Sequence, residues 1–207
     1  MAGYVNIGGV WKEASALHAN VGGVQKEITQ GYTNIGGVWK PIFDSIPRTT
    51  NFADNSVFDY YSGGDVSDQS YASRNGNSIY ARCCYLILGG SIQCLLTTKS
   101  PIDFSRIQSV SVTGNHTDKT TGRDFENRAY LYLCAQKPTS YTPSVINYST
   151  YFYHSDEKGT YPFSLEIDTS AVTGKFYVAV KIHLRRTRES IGGGVDETWI
   201  YAPITFS

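Results

Sequence analysis

Beyond residue 45 the apolar positions follow no helical period; they fall into short strand-like runs separated by turn residues. The clearest pair is Ser78 to Leu88 and Ser91 to Thr98, on either side of Gly89-Gly90. A two-glycine spacer between such runs predicts a hairpin. In that register Cys83, Tyr85, Ile87, Ile92, Cys94 and Leu96 share one face, and Cys84, Leu86, Leu88 and Leu95 the other. Apolar groups on both faces place the pair centrally in a sheet. Further strands are expected at Ser105 to Thr113, Ala129 to Gln136, Tyr161 to Ile167, Lys175 to Leu184 and Thr198 to Ser207. Turn signals follow most of them: Thr113-Gly114-Asn115, Lys137-Pro138, Val172-Thr173-Gly174 and Gly192-Gly193-Gly194. Evenly spaced strands of this kind predict one two-layered β-sandwich or jelly roll over residues 46–207.

The first 45 residues are patterned differently. Tyr4-Val5-Asn6-Ile7-Gly8-Gly9-Val10-Trp11-Lys12 returns as His18-Ala19-Asn20-Val21-Gly22-Gly23-Val24-Gln25-Lys26 and as Tyr32-Thr33-Asn34-Ile35-Gly36-Gly37-Val38-Trp39-Lys40, with a period of 14 residues. A fixed period marks one supersecondary unit stacked on itself. With glycines at the turn centres, Ile7 faces Val10 and Val5 faces Lys12 on one side of the ribbon, while Asn6 faces Trp11 and Tyr4 faces Glu13 on the other. Isolated two-stranded ribbons are marginal in water, so either the rest of the chain or another copy must cover these faces. The first alternative is a meander packed on the larger domain. The second makes residues 1–45 an assembly or docking module acting through Tyr4, Ile7, Val10, Trp11, Tyr32, Ile35, Val38 and Trp39. Pro41 and Pro47 bracket the junction where the repeats stop.

Composition agrees with an all-β chain: of 207 residues, 20 are Gly, 16 Tyr and 9 Phe, against one Met. Basic and acidic residues balance at 18 each, so no whole-molecule field gathers nucleic acid or anionic membrane. No signal-peptide pattern and no apolar run of transmembrane length is visible, which predicts folding in a cytoplasm without export and without membrane insertion. Cys83, Cys84, Cys94 and Cys134 form no Cys-x-x-Cys motif and read as small buried hydrophobes, with a Cys83–Cys94 bridge as the other option.

Two stretches of the larger domain, Pro101-Ile102-Asp103-Phe104-Ser105-Arg106-Ile107-Gln108-Ser109-Val110-Ser111-Val112 and Leu165-Glu166-Ile167-Asp168-Thr169-Ser170-Ala171-Val172-Thr173-Gly174-Lys175-Phe176-Tyr177-Val178-Ala179-Val180, resemble jelly-roll modules of the galactose-binding-like kind. The Gly-Gly-Val-Trp-Lys repeats are similar to N-terminal segments of tail, fibre and baseplate-associated proteins of phages that infect Gram-positive bacteria. The middle copy departs from that pattern, with Gln25 where Trp11 and Trp39 stand. The resemblance implies a virion structural protein that forms a homo-oligomer, a trimer by expectation, joins other virion proteins and touches host cell-surface polysaccharide. A capsid-surface fibre or decoration protein and a glycan depolymerase are the alternatives.

Candidate sites follow from local composition. Residues 141–161 concentrate Tyr141, Tyr148, Tyr151, Phe152, Tyr153, His154 and Tyr161. Flat rings with polar edges stack on sugars, which makes Tyr141, Tyr148, Tyr151, Tyr153 and His154 candidate glycan-binding residues; amphipathic rings at the sandwich rim are the plainer reading. Alternation places Phe152 inward and Tyr151 and Tyr153 outward. Lys181, His183 and Arg185 alternate on one strand, aligned to grip phosphate or carboxylate, or serving as solvated charges on an edge strand. Asp196 and Glu197 are expected to answer part of this charge. Asp54, Asp59, Asp65 and Asp68 read as turn formers; no cofactor is expected, and the galactose-binding-like resemblance implies at most a structural calcium. His18, His116, His154 and His183 are scattered and no catalytic motif accompanies them, so no enzyme is expected.

Overall fold

A computed structural model describes residues 3–7, 10–14, 17–21, 24–28, 30–35, 38–44, 51–64, 70–84, 90–118, 125–154, 158–186 and 195–207. The chain divides into two compact units, Met1–Pro47 and Arg48–Ser207.

The first unit holds β1 (Gly3–Ile7), β2 (Val10–Ala14), β3 (Leu17–Val21), β4 (Val24–Ile28), β5 (Gln30–Ile35) and β6 (Val38–Asp44). They pair in sequence order as three antiparallel two-stranded ribbons. Ile7 lies opposite Val10, Asn6 opposite Trp11, Val5 opposite Lys12 and Tyr4 opposite Glu13, which is the register that turn-centred glycines dictate. The second ribbon repeats it, with Val21 opposite Val24 and Asn20 opposite Gln25. In the third, Ile35 faces Val38 and Asn34 faces Trp39, but the ladder shifts between Gly31 and Tyr32, which pair with Phe43 and Pro41. Pro41 has no N–H to give the ladder, and Ile42 is the residue left over, as in a β-bulge. The side chains of Tyr4, Ile7, Val10, Trp11, Tyr32, Ile35, Val38 and Trp39, and the glycine turns, lie outside the described residues.

The second unit is a sandwich of two antiparallel sheets. Its strands are β7 (Phe58–Gly64), β8 (Tyr71–Arg74), β9 (Ser78–Cys84), β10 (Ser91–Thr98), β11 (Ile102–Asp103), β12 (Ser109–Asp118), β13 (Phe125–Cys134), β14 (Tyr148–His154), β15 (Gly159–Asp168), β16 (Lys175–Arg186) and β17 (Val195–Phe206). One sheet runs β14-β13-β16-β10-β7, with the short β11 also on β16; the other runs β15-β12-β17-β9-β8. Inward-facing side chains of both sheets close the core. Leu131, Leu133, Val180, Ile182 and Leu184 come from the larger sheet, and Ile79, Val110, Val112, Leu165 and Ile200 from the smaller. Each such burial contributes roughly 1.5–3 kcal/mol. The fold is therefore an all-β jelly-roll sandwich preceded by β-hairpin repeats.

The expected hairpin of residues 78–98 is not formed. β9 pairs with β17 and β8, whereas β10 pairs with β16 and β7, so the two strands lie in opposite sheets. Residues 85–89 lie outside the described residues; β9 and β10 on either side belong to different layers, and a glycine pair in the sequence reads alike for a hairpin or a change of sheet. Apolarity on both faces of β10 has its own cause: Ile92, Cys94 and Leu96 face the core, while Leu95 on the outer side is covered by tyrosines. All four cysteines are free thiols. Cys83, Cys94 and Cys134 are buried, and burial pushes Cys94 up to about 12 and Cys134 up to about 11. Cys84, one position on from Cys83, points to the opposite face and is only half-buried, unlike the expectation for it.

Candidate functional site

The outer face of the six-stranded sheet gathers the two groups that the sequence offers separately. Register sets its side chains in rows. Tyr61, Leu95, Lys181, Tyr130 and Tyr151 lie side by side across β7, β10, β16, β13 and β14. The next row is Gly63, Gln93, His183, Arg128 and Tyr153, and beyond it Ser91, Arg185 and Glu126. On the other side of the first row stand Asp59, Thr97, Ala179, Tyr132 and Ser149. Leu95, Ala179, Tyr132 and Cys134 form the buried floor, and Tyr61, Tyr130, Tyr141 and Tyr177 pack against it.

Tyr141 arrives from the segment 135–147, which reaches over this face to β7. A side chain at Gly63 would overlap the Tyr141 ring, so glycine is what lets the ring lie there. Lys137 of the same segment holds Asp59 at 2.6 Å, and Lys99 adds a second contact at 3.7 Å. These partners keep the Asp59 carboxyl below its ordinary range. The far end is open. Tyr151 is 61 % exposed and Tyr153 45 %, on the edge strand β14. Tyr130 stacks on Tyr132 at 5.2 Å between centroids and meets Tyr151 at 6.0 Å. The Arg128 guanidinium lies 5.3 Å from the Tyr153 centroid, and its Nη2 is 3.7 Å from Glu126.

Tyr151 and Tyr153 thus point outward and the half-buried Phe152 inward, stacked on Phe163 at 4.5 Å. The same alternation removes Tyr148 and His154 from the outer face. Tyr148 meets Phe176 edge-on, and His154 packs between His116 and Tyr161 on the core side. Lys181, His183 and Arg185 do share the face, yet β16 is flanked by β13 and β10, so they are not charges guarding an edge strand. Lys181 is buried and held below the ordinary lysine range by desolvation. His183 is lowered to about 4, first by burial and then by repulsion from Lys181, Arg128 and Arg185.

Asp196 and Glu197 do not answer these cations among the described residues; both belong to β17 in the opposite sheet. Glu197 accepts from Tyr80 Oη at 2.9 Å and lies 3.9 Å from Arg82 Nε. That outer face carries an aromatic cluster the sequence reading overlooked, Tyr71 edge-on to Tyr80 at 5.7 Å and Tyr80 against Trp199 at 4.9 Å between centroids. Asp196 is fully buried between the sheets and accepts from Asn127 Nδ2 at 3.0 Å. The same Asn127 nitrogen is 3.1 Å from His116 Nε2, and His116 Nδ1 is 2.9 Å from Thr198 Oγ1. Burial and the neighbouring Asp118 push Asp196 up to about 8, while burial and His154 lower His116 to about 4. Both groups are accordingly neutral at pH 7. A neutral His116 that accepts from Asn127 at Nε2 must carry its proton on Nδ1 and donate it to Thr198.

Of the four early aspartates, Asp54 accepts from Ser56 N and Oγ, each at 2.7 Å, as a turn former does. Asp59 is the ion-pair centre described above, and Asp65 and Asp68 lie outside the described residues. Among the described residues no cluster of three His, Cys, Asp or Glu side chains is arranged to hold a metal ion.

No protein-family description matches the chain, and no curated protein does. Solved structures do. The enzymatically active domain of tailspike protein 4 from bacteriophage CBA120 aligns with 75 % of this chain at 13 % identity and a TM-score of 0.42. The alignment spans only 22 % of that tailspike domain. The adhesin domain of Epf from Streptococcus pyogenes aligns with 77 % of the chain and 64 % of its own length, at 10 % identity and TM-score 0.44. A promiscuous carbohydrate-binding module of the β-sandwich superfamily covers 93 % of the chain and 85 % of itself, at 10 % identity and TM-score 0.42. At these identities the likeness concerns architecture alone.

Proposed function

We propose that the sandwich is a non-enzymatic glycan-binding module and that its ligand face is the outer side of the β14-β13-β16-β10-β7 sheet. One observation carries this: tyrosines from four strands and from the 135–147 segment lie on a single sheet face, interleaved with Gln93, His183, Arg128 and Arg185. Rings supply stacking surface and the polar groups between them supply hydroxyl partners, which is the composition of a sugar platform. In this reading the repeats of residues 1–45 join the chain to equivalent copies in a virion, in a tail, fibre or baseplate position, and display the sandwich outward. A capsid-surface fibre has the same needs.

The test is a glycan array probed with the full chain, followed by calorimetric titration of the hits. Tyr151→Ala removes an exposed ring and is expected to weaken binding about 5- to 30-fold, on the order of 1–2 kcal/mol, while leaving the unfolding midpoint within about a degree. Gly63→Val, which dislodges Tyr141, is expected to weaken binding as well. Absence of any binding across the array, or hits indifferent to Tyr151→Ala, would overturn the assignment.

A further inference from the structure

The column Lys181, His183 and Arg185 is crowded by Arg128 from β13, and its own sheet gives it little negative charge. Around His183 stand Lys181 and Arg185 on the same strand, Arg128 opposite with Tyr130 and Glu126 beside it on β13, and the uncharged Ser91, Gln93 and Leu95 on β10. Glu126 is opposite Arg185 in register, and its carboxylate lies 3.7 Å from Arg128. Among the described residues no carboxylate forms an ion pair with Lys181, His183 or Arg185. Arg128 Nε is buried without a hydrogen-bond partner. Like charges held this close repel, and in a half-buried setting an opposite charge is worth far more than in water. An arrangement of this kind fits an anion, and the flanking tyrosines fit a sugar ring on either side of it.

Resting on the glycan-binding reading above, we infer that the ligand is an acidic polysaccharide whose carboxylate or phosphodiester sits over His183, between Lys181, Arg128 and Arg185. Guanidinium forks favour such oxygens, and the neutral Gln93 completes the ring of donors. Binding is then coupled to a proton. His183 is neutral in the free protein at pH 5–7, since its pKa lies near 4. A bound anion favours the imidazolium, so the complex takes up a proton and affinity rises as pH falls from 7 to 5.

The decisive measurement is a matched pair on the full chain: an oligogalacturonate and its fully methyl-esterified counterpart, which keeps the sugar and removes the charge. A poly(glycerol phosphate) chain is the third probe. The acid form is expected to bind at least about tenfold more tightly than the ester, with an advantage that shrinks as salt is raised. Preference for the phosphate polymer over both would assign the anion to a phosphodiester and equally supports the inference. Arg185→Ala, at an exposed position, and Lys181→Met should each reduce the preference for charge while sparing affinity for neutral sugar. His183→Gln should flatten the rise of affinity between pH 7 and 5. Equal binding of acid and ester, or array hits confined to neutral glycans, would overturn the acidic ligand and leave the glycan-binding face standing. A chain that bound no probe and no glycan at all would overturn both.

Discussion

Gly114→Ala is expected to destabilise the sandwich by roughly 3 kcal/mol or more, a large effect for a single methyl group. Gly114 lies on β12, between Phe163 of β15 and Ile200 of β17, with its hydrogen side toward the core. A Cβ there would overlap both the Phe163 ring and the Trp199 carbonyl oxygen. A ring can rotate away, but a backbone oxygen in a central ladder moves only by spreading β12 from β17. The Phe163 ring also has no free direction, because it stacks on Phe152 of the opposite sheet at 4.5 Å. Urea unfolding should therefore show a lower midpoint, and heating a drop of about 6–12 °C for a unit of this size. Phe163→Ala and Gly114→Ala combined should cost less than the sum of the two single losses, since the first removes one of the two obstacles to the second. A cost below about 1 kcal/mol would mean that the two sheets are more loosely packed at this end.

Much of this fold was legible from alternation alone. The strands beginning near Ala129, Tyr161, Lys175 and Thr198 were visible because their apolar residues must face one core. The ribbon registers were visible because a glycine pair fixes which residues oppose one another. Sheet membership was not legible. Ser78 to Thr98 carries a turn signal and two strands, and local sequence cannot say whether the chain folds back beside itself or crosses to the other layer. β7 and β8 were missed as strands for a related reason: Phe58–Gly64 and Tyr71–Arg74 lie at sheet edges, where polar and aromatic residues face an outer surface. The candidate site was legible in pieces. Tyr151, Tyr153, Lys181, His183 and Arg185 could each be named from their own segments, but only the pairing of β13 with both β14 and β16 sets them side by side. Arg128, Tyr130, Gln93 and Tyr61 were beyond reach, because isolated rings and amides in strands carry no local mark of a shared face.

Asp196 should make the protein less stable on the alkaline side of neutrality, and Asp196→Asn should remove that loss. The sign follows from where protons are held. In the unfolded chain Asp196 ionises at its ordinary pKa of 3.8, whereas in the folded protein burial and Asp118 hold it protonated up to about pH 8. Between those values the folded state binds the extra proton, so stability is greatest below pH 3.8 and falls as pH rises to 8, by about 1.4 kcal/mol per pH unit. His116 acts in the opposite sense. Its folded pKa of about 4 lies below the ordinary 6.5, so the unfolded state binds more protons between the two, and its contribution is present above 6.5 and lost as pH falls toward 4. The two slopes offset each other between pH 4 and 6.5. From 6.5 to 8 Asp196 acts without that offset, and its contribution should fall by roughly 2 kcal/mol. Asparagine at 196 keeps an oxygen for the Asn127 amide and carries no charge to bury, so this variant should gain on the parent steadily from pH 6.5 to 8. Comparing the two proteins by urea unfolding at several pH values isolates Asp196, because every other titrating group is common to both. A gap between them that stayed constant across this range would show that the carboxyl does not change its protonation there, and that solvent reaches its charge more fully than the burial of these two strands implies.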